Sequence, residues 1–175
     1  MPLTAQFAPP APMSANELQT KSLKLVAQTR EDVRTFVEQM QPHERADLSA
    51  AWLALLEDSG PADPWIHGFT LVHRDSDTPV GQCGFKGPPD TDGMVEIAYG
   101  VSPGHEGKGY ATEAAGALLR HAFSHPQVNV VRAHTLPQVN ASTRVLGKCG
   151  FQYTGEVIDP EDGLVWRWER HYQAP

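Results

Sequence analysis

Apolar and polar positions alternate along this chain in two rhythms, and the changes between them mark its elements. Leu23, Leu25 and Ala27 alternate with their neighbours as a first strand. Glu31-Asp32 then open an amphipathic helix carrying Val33, Phe36, Val37 and Met40, with carboxylates where the helix dipole favours them. After Pro42 a second helical pattern runs through Leu48, Trp52, Leu55 and Leu56 and stops at Ser59-Gly60-Pro61. His67–His73 and Val80–Phe85 read as a hairpin across the polar run Arg74–Pro79, and Met94–Val101 as the strand that follows. On that strand Val95, Ile97, Tyr99 and Val101 form an apolar face, while the other face holds Glu96, Ala98 and Gly100. Tyr110–Phe123 returns to the helical period. Val128–Leu136, a short helix Asn140–Cys149, and the strands Phe151–Val157 and Val165–Tyr172 complete the order β-α-α-β-β-β-α-β-α-β-β.

That alternation predicts an α/β (α+β) domain, and composition narrows its class. The 175 residues are enough for one domain with a sheltered site; residues 17–175 are expected to form it, behind a disordered tail at 1–16 with an alternative start at Met13. The net charge of −7 argues against a general nucleic-acid binder. Neither a membrane-crossing segment nor a signal sequence is recognisable, which makes cytoplasmic the default expectation. Cys83 and Cys149 read as small buried side chains rather than a disulfide or a metal site, and no metal is expected.

Between strand and helix lies Gly104-His105-Glu106-Gly107-Lys108-Gly109-Tyr110-Ala111-Thr112-Glu113-Ala114. Glycines there let backbone N–H groups turn inward, and the helix N-terminus adds partial positive charge, so the segment suits a phosphate or pyrophosphate. It is not a Walker loop, because Lys108 is followed by Gly109. Nor is it a dinucleotide fingerprint, whose last glycine slot is taken by Thr112. The 42 residues from Ala114 to Gly155 contain no Asp or Glu but include Arg120, Arg132, Arg144 and Lys148, a bias that fits a polyanion or chance patterning.

The glycine loop with Tyr110-Ala111-Thr112-Glu113-Ala114 resembles the acyl-CoA pyrophosphate loop of the GNAT N-acetyltransferase superfamily, most closely its RimJ/RimL-like branch. Val95–Val101 before it and Asn140–Phe151 after it resemble the same branch, and the likeness covers Leu23 to Tyr172. It implies the GNAT fold, a mixed, largely antiparallel sheet of about seven strands with helices on both faces and a splayed central strand pair. Acetyl-CoA would be the cosubstrate and a primary amine, on a small molecule or a protein N-terminus, the acceptor. Two positions depart from the usual pattern. Gly104 stands where Gln or Arg is common, leaving Lys108 as the substitute cation, and Leu146 stands where a Tyr general acid is common.

By the same resemblance, the Val101 N–H would donate to the thioester carbonyl, and the amides of Glu106, Gly107, Lys108, Gly109, Tyr110 and Ala111 would cradle the pyrophosphate. Asn140 would bond the pantetheine or cap its helix. Glu96 is the candidate general base, acting through a water from among small and apolar neighbours. His134 is a second candidate base or a structural histidine. Ser142 is the candidate general acid or an N-cap, Arg144 and Lys148 share a face that is ordinarily solvated, and Cys149 lacks an adjacent base. The acceptor pocket is expected between the first two helices and the turn Pro160–Gly163, with Trp65 a candidate wall. A catalytically idle CoA-binding sensor or interaction module is the competing function, and a nucleotide-dependent enzyme a third. The acceptor's identity, and whether the chain forms a homodimer, stay open.

Overall fold

The computed structural model describes residues 17–174. The predicted tail, residues 1–16, lies outside the described residues. The chain runs β1 (Glu17–Gln19), β2 (Leu23–Ala27), α1 (Arg30–Gln39), α2 (Pro42–Ala46), α3 (Ala50–Asp58) and α4 (Pro64–His67). It continues with β3 (Phe69–His73), β4 (Pro79–Phe85), β5 (Met94–Val101), α5 (Tyr110–Phe123) and β6 (Val130–Thr135). It ends with α6 (Ala141–Lys148), β7 (Gln152–Asp159) and β8 (Gly163–His171). The strands form one sheet in the order β1-β2-β3-β4-β5-β6-β8-β7, antiparallel throughout except between β5 and β6. Parallel neighbours cannot be joined by a tight turn, and α5 supplies the crossover.

The parallel pair is also where the sheet opens. Its register runs only from Met94↔Val130 to Glu96↔Arg132, although β5 continues to Val101 and β6 to Thr135. Beyond Glu96 each strand keeps its outer partner: β5 pairs β4 as far as Gly81↔Val101, and β6 pairs β8 as far as Thr135↔Trp166. The expected splayed pair is thus β5 and β6, with a wedge between their C-terminal halves.

The core lies mainly between the sheet and α5. Ala114, Ala115, Leu118 and Ala122 are fully buried against Leu25, Leu71, Ile97 and Val131, and the small side chains let α5 settle close to the strands. A separate cluster of Val33, Leu56 and Ile66 joins α1, α3 and α4 on their own side of the sheet. Glu113, in the first turn of α5, accepts hydrogen bonds from the Thr20 hydroxyl and, at 2.9 Å, from Ser22 N, fastening the helix to the β1–β2 turn. Partial burial works against its charge, but these bonds prevail and hold its carboxyl below the usual range.

Three expectations change. Among the described residues the sheet has eight strands, the addition being the edge strand β1, whose three residues are too few for a period to register. The second helical pattern divides into α2 and α3, because Ser49 accepts from Trp52 N and starts a new helix. His67 does not begin a strand. Asp63 caps Trp65 N, Pro64 occupies the first turn, and His67 ends the short α4. Gly68 then turns the chain at φ +69°, where a Cβ would lie 2.8 Å from the Cys83 carbonyl oxygen.

Candidate active site

Two cavities meet at the end of β5, and Tyr99, Gly100 and Val101 line both. The first, about 510 Å³, extends from β5 to the N-terminus of α5 and along α6. Gly107 and Gly109 have φ of +73° and +83°, conformations that cost a side-chain-bearing residue strain, and nothing lies within 4 Å of a Cβ built on either. Gly109 is the N-cap of α5 and offers no side chain to the first-turn N–H groups, which are left for an anion.

Most of the residues assigned to acyl-CoA come together here. Val101, Glu106, Gly107, Gly109, Tyr110 and Ala111 all line this cavity. Lys108 is exposed and outside the lining; the cations that do line it are Arg144 and Lys148, on the α6 face that had been expected to be merely solvated. Arg132, from the same acid-free stretch, is taken up by Glu169 at 2.7 and 2.9 Å. Asn140 is also outside the lining. Its Oδ1 accepts from Thr143 N at 3.0 Å as the cap of α6. The N-cap reading of Ser142 is therefore corrected. Ser142 sits inside the helix and lines the cavity.

The ladder parity of β5 shows what its backbone offers. Lys86 N donates to Glu96 O at 2.9 Å and Ser102 N to Val80 O at 2.8 Å, so even-numbered residues bond across to β4. The N–H groups of Tyr99 and Val101 point the other way, where β6 has diverged. A long thin ligand entering that wedge would meet these two N–H groups. The cavity, its cations and this edge would suit a diphosphate carrying an extended arm.

The second cavity, about 650 Å³, lies on the opposite side of β5. Ala98 and Gly100 form its floor with Gln82 and Thr70 alongside, and Val33 and Phe36 of α1, Trp52 of α3 and Ile66 of α4 cover it. The N-terminal helices thus wall this cavity as expected, but the turn Pro160–Gly163 does not, and neither does Trp65. Trp65 packs on Phe85, with ring centroids 4.6 Å apart, and against His121 and His125.

Glu96 shares the strand face of Ala98 and Gly100 but lines neither cavity. Its side chain is 17% exposed and its surroundings are not the apolar ones predicted. Oε1 lies 2.9 Å from Lys86 Nζ and 2.9 Å from His134 Nδ1. Lys86 in turn reaches Asp162 at 3.7 Å, and Arg167 Nε donates to His134 Nε2 at 3.3 Å. Burial opposes the charge on Lys86, but Glu96, backed by Asp162 and Asp159, outweighs it and holds the ammonium above its ordinary value. All donors and acceptors match when His134 carries its proton on Nδ1 and gives that hydrogen bond to Glu96. His134, with a side chain 6% exposed, spans the β5–β6 wedge and orients Glu96; it lines neither cavity. Both contacts fall on Oε1. Among the described residues, Oε2 has no hydrogen-bond partner.

Tyr99 was read only as part of an apolar face. Its hydroxyl donates to the Ser142 carbonyl at 3.5 Å, near the limit for a hydrogen bond, and burial pushes the phenol up to about 12. The signal for it was its place two residues before Val101. Leu146, in the slot of the usual tyrosine, is fully buried in the core. Cys149 donates to Thr112 O at 3.6 Å and burial raises its thiol, as burial does for Cys83, so neither is activated as a thiolate. Among the described residues there is no cluster of three His, Cys, Asp or Glu that could hold a metal, and no helix long and apolar enough to cross a membrane.

Comparison with known proteins gives this architecture a family. An uncharacterized N-acetyltransferase of Bacillus subtilis strain 168, YjdG, is 37% identical over 89 residues, 51% of either protein. The chain spans about half the length of the curated relatives it matches. A GNAT-family acetyltransferase from Bacillus anthracis superposes with a TM-score of 0.64 at 18% identity, over 89% of this chain and 98% of that one. RimL, a ribosomal L7/L12 alpha-N-protein acetyltransferase solved in complex with coenzyme A, has a TM-score of 0.64 at 13% identity, over 89% and 97%. These structural likenesses bear on the fold. Residues 12–152 match the acetyltransferase (GNAT) domain family, and with most of its length so matched, the chain belongs to that family.

Proposed function

We propose that the chain is an acetyl-CoA-dependent N-acetyltransferase that passes an acetyl group directly to a primary amine while both substrates are bound. The observation that carries this reading is the meeting of two cavities at Tyr99–Val101, one lined by positive-φ glycines, a helix N-terminus and two cations, the other largely apolar. Bound acetyl-CoA would supply an activated acyl group as its thioester. The amides from Glu106 to Ala111, with Arg144 and Lys148, hold its diphosphate, and the Val101 N–H donates to the acyl oxygen where negative charge develops.

The acceptor enters from the 650 Å³ side. Its nitrogen forms the new C–N bond as the C–S bond breaks. The proton it sheds passes through a water to Glu96 Oε2, the oxygen without a hydrogen-bond partner among the described residues. Lys86 and His134 grip Oε1 and fix the carboxylate's direction, so they are positioning residues. Ser142, on the arm side of β5, gives the departing sulfur its proton, and the buried Tyr99 phenol lies beside it. The thiols of Cys83 and Cys149 are not activated, which favours direct transfer over a route through an acyl-cysteine.

A thiol-release assay with acetyl-CoA and an amine panel tests this. Glu96→Gln is expected to lower kcat by about 10²–10⁴-fold and to leave the Kd for CoA within twofold. Binding of CoA without thiol release for any amine, and no change with Glu96→Gln, would favour the idle CoA-binding module instead. Stabilisation by ATP or NAD but not by CoA would point to a nucleotide enzyme.

A further inference from the structure

The acceptor cavity has a chemical signature of its own. Among the described residues, no Asp, Glu, Lys or Arg lines it. Its cover is the apolar and aromatic surface of Val33, Phe36, Trp52 and Ile66, and besides His67 its polar side chains are the neutral ones of Gln28, Thr70, Gln82, Tyr99 and Ser102. Gln28 Nε2 donates to Thr70 Oγ1 at 3.3 Å, so part of this polar edge is already satisfied internally.

The histidine in the wall does not add charge. His67 is 4% exposed; its Nδ1 accepts from Asp63 N at 3.0 Å and its Nε2 lies 2.7 Å from the Ser59 hydroxyl, which itself donates to Leu56 O. With Nδ1 an acceptor, Nε2 carries the ring's one proton. Burial lowers the ring's proton affinity further, with Arg30 acting the same way and Asp63 opposing.

A wall of this kind selects by charge. An acceptor bearing a second ammonium would have to desolvate it with no carboxylate in the lining to pair with, and aromatic faces return only part of that loss. Glu96, on the same strand face, does not line the cavity, and its charge is already paired by Lys86. An apolar or aromatic body, in contrast, gains by covering Phe36 and Trp52, and the volume suits a ligand up to drug size. From this we infer that the acceptor is a monoamine, a single primary amine on an apolar or aromatic body with no second positive charge. The inference rests on the transferase reading and narrows its substrate class. The same chemistry is carried by a free arylalkylamine and by the end of an uncharged peptide that begins with an apolar residue.

The test is a matched pair in the thiol-release assay, with acetyl-CoA binding measured by calorimetry on the same preparation. Hexylamine is expected to exceed 1,6-diaminohexane in kcat/KM by at least tenfold, and phenethylamine to exceed spermidine and kanamycin by as much. An uncharged peptide amide beginning with Phe forms a separate arm, and the better of this peptide and phenethylamine identifies the source. Two variants make the charge argument specific. Gln82, exposed and opposite Gly100 in the β4–β5 register, can accept a carboxylate without disturbing the core. Gln82→Glu should shrink the hexylamine preference at least fivefold; an unchanged ratio overturns the inference. Phe36→Ala, at a position 49% exposed, should raise KM for phenethylamine about threefold to tenfold with CoA affinity unchanged. A chain that binds acetyl-CoA and prefers the diamine, spermidine or kanamycin remains a transferase and overturns the inference alone. A chain that releases no thiol with any amine overturns the transferase reading, and the inference with it.

Discussion

The two cavities that meet on β5 are made of different material. The one beside α5 is drawn largely from one local stretch: Val101, the loop from His105 to Gly109 and the first helical turn line it, and Gly107 and Gly109 there adopt positive φ. The one beneath α1, α3 and α4 is a side-chain site, assembled from segments as far apart as Gln28 and Ser102. A phosphate cradle needs consecutive N–H groups in an unusual conformation, so its requirements are local. An acceptor wall needs only complementary surfaces, and any distant segment can furnish them.

That difference predicts opposite sensitivities. The site beside α5 should fail when a glycine gains a side chain. Gly109→Val places a β-branched residue at φ +83° and its Cβ in the open space the ligand needs, so the Kd for CoA should rise about a hundredfold, roughly 2.7 kcal/mol, with the fold retained. Calorimetry checks this, and normal affinity would show that the loop does not hold the diphosphate.

Side chains should matter less there, and selectively. Arg144→Ala and Lys148→Ala are each expected to weaken CoA about fivefold, an effect that shrinks as salt is raised. Lys108→Ala, outside the lining, should change it less than twofold. Equal losses at all three positions would mean that the cations act through the general field of the surface instead of at the cavity.

The scaffold of the site beside α5 has its own pH signature. The Glu113 carboxyl is held below the usual range, so the stability it contributes is present above the unfolded value near pH 4.3 and disappears as pH falls through the lower folded value. Glu113→Gln should therefore cost roughly 1 kcal/mol near neutrality and progressively less in acid, as denaturant melts at several pH values would show. A constant difference at every pH would mean that the bonds to Thr20 and Ser22 do not depend on the carboxylate.

The same contrast explains what could be read in advance. Helix α5 was located to the residue, and β5 likewise, because their apolar periods are long and glycines or prolines bound them. The loop at Gly107 and Gly109 was legible for the same local reason, and so was Val101 at the strand's end. Lys108 and Lys148 could not be ranked, because which cation faces a cavity depends on how α6 docks against α5. The partners of Glu96 were hidden for a similar reason. Lys86 follows β4, His134 lies on β6 and Arg167 on β8, and only the β4–β5–β6–β8 order brings Lys86 and His134 to the carboxylate and Arg167 to His134. His67 misled because it stands at the head of the apolar run that continues to His73, although Asp63-Pro64 already carried the signal for a helix start. Tyr99 was hidden by its apolar neighbours on the strand.

The most direct measurement is an amide-resolved NMR titration of the chain with CoA. The largest shifts are expected at Val101, Gly107, Gly109, Tyr110 and Ala111, with the amides of Phe36 and Trp52 still until an amine is added. Shifts centred on Phe36, Trp52 and Ile66 instead, or a glycine loop untouched at saturating CoA, would contradict the assignment of the two cavities.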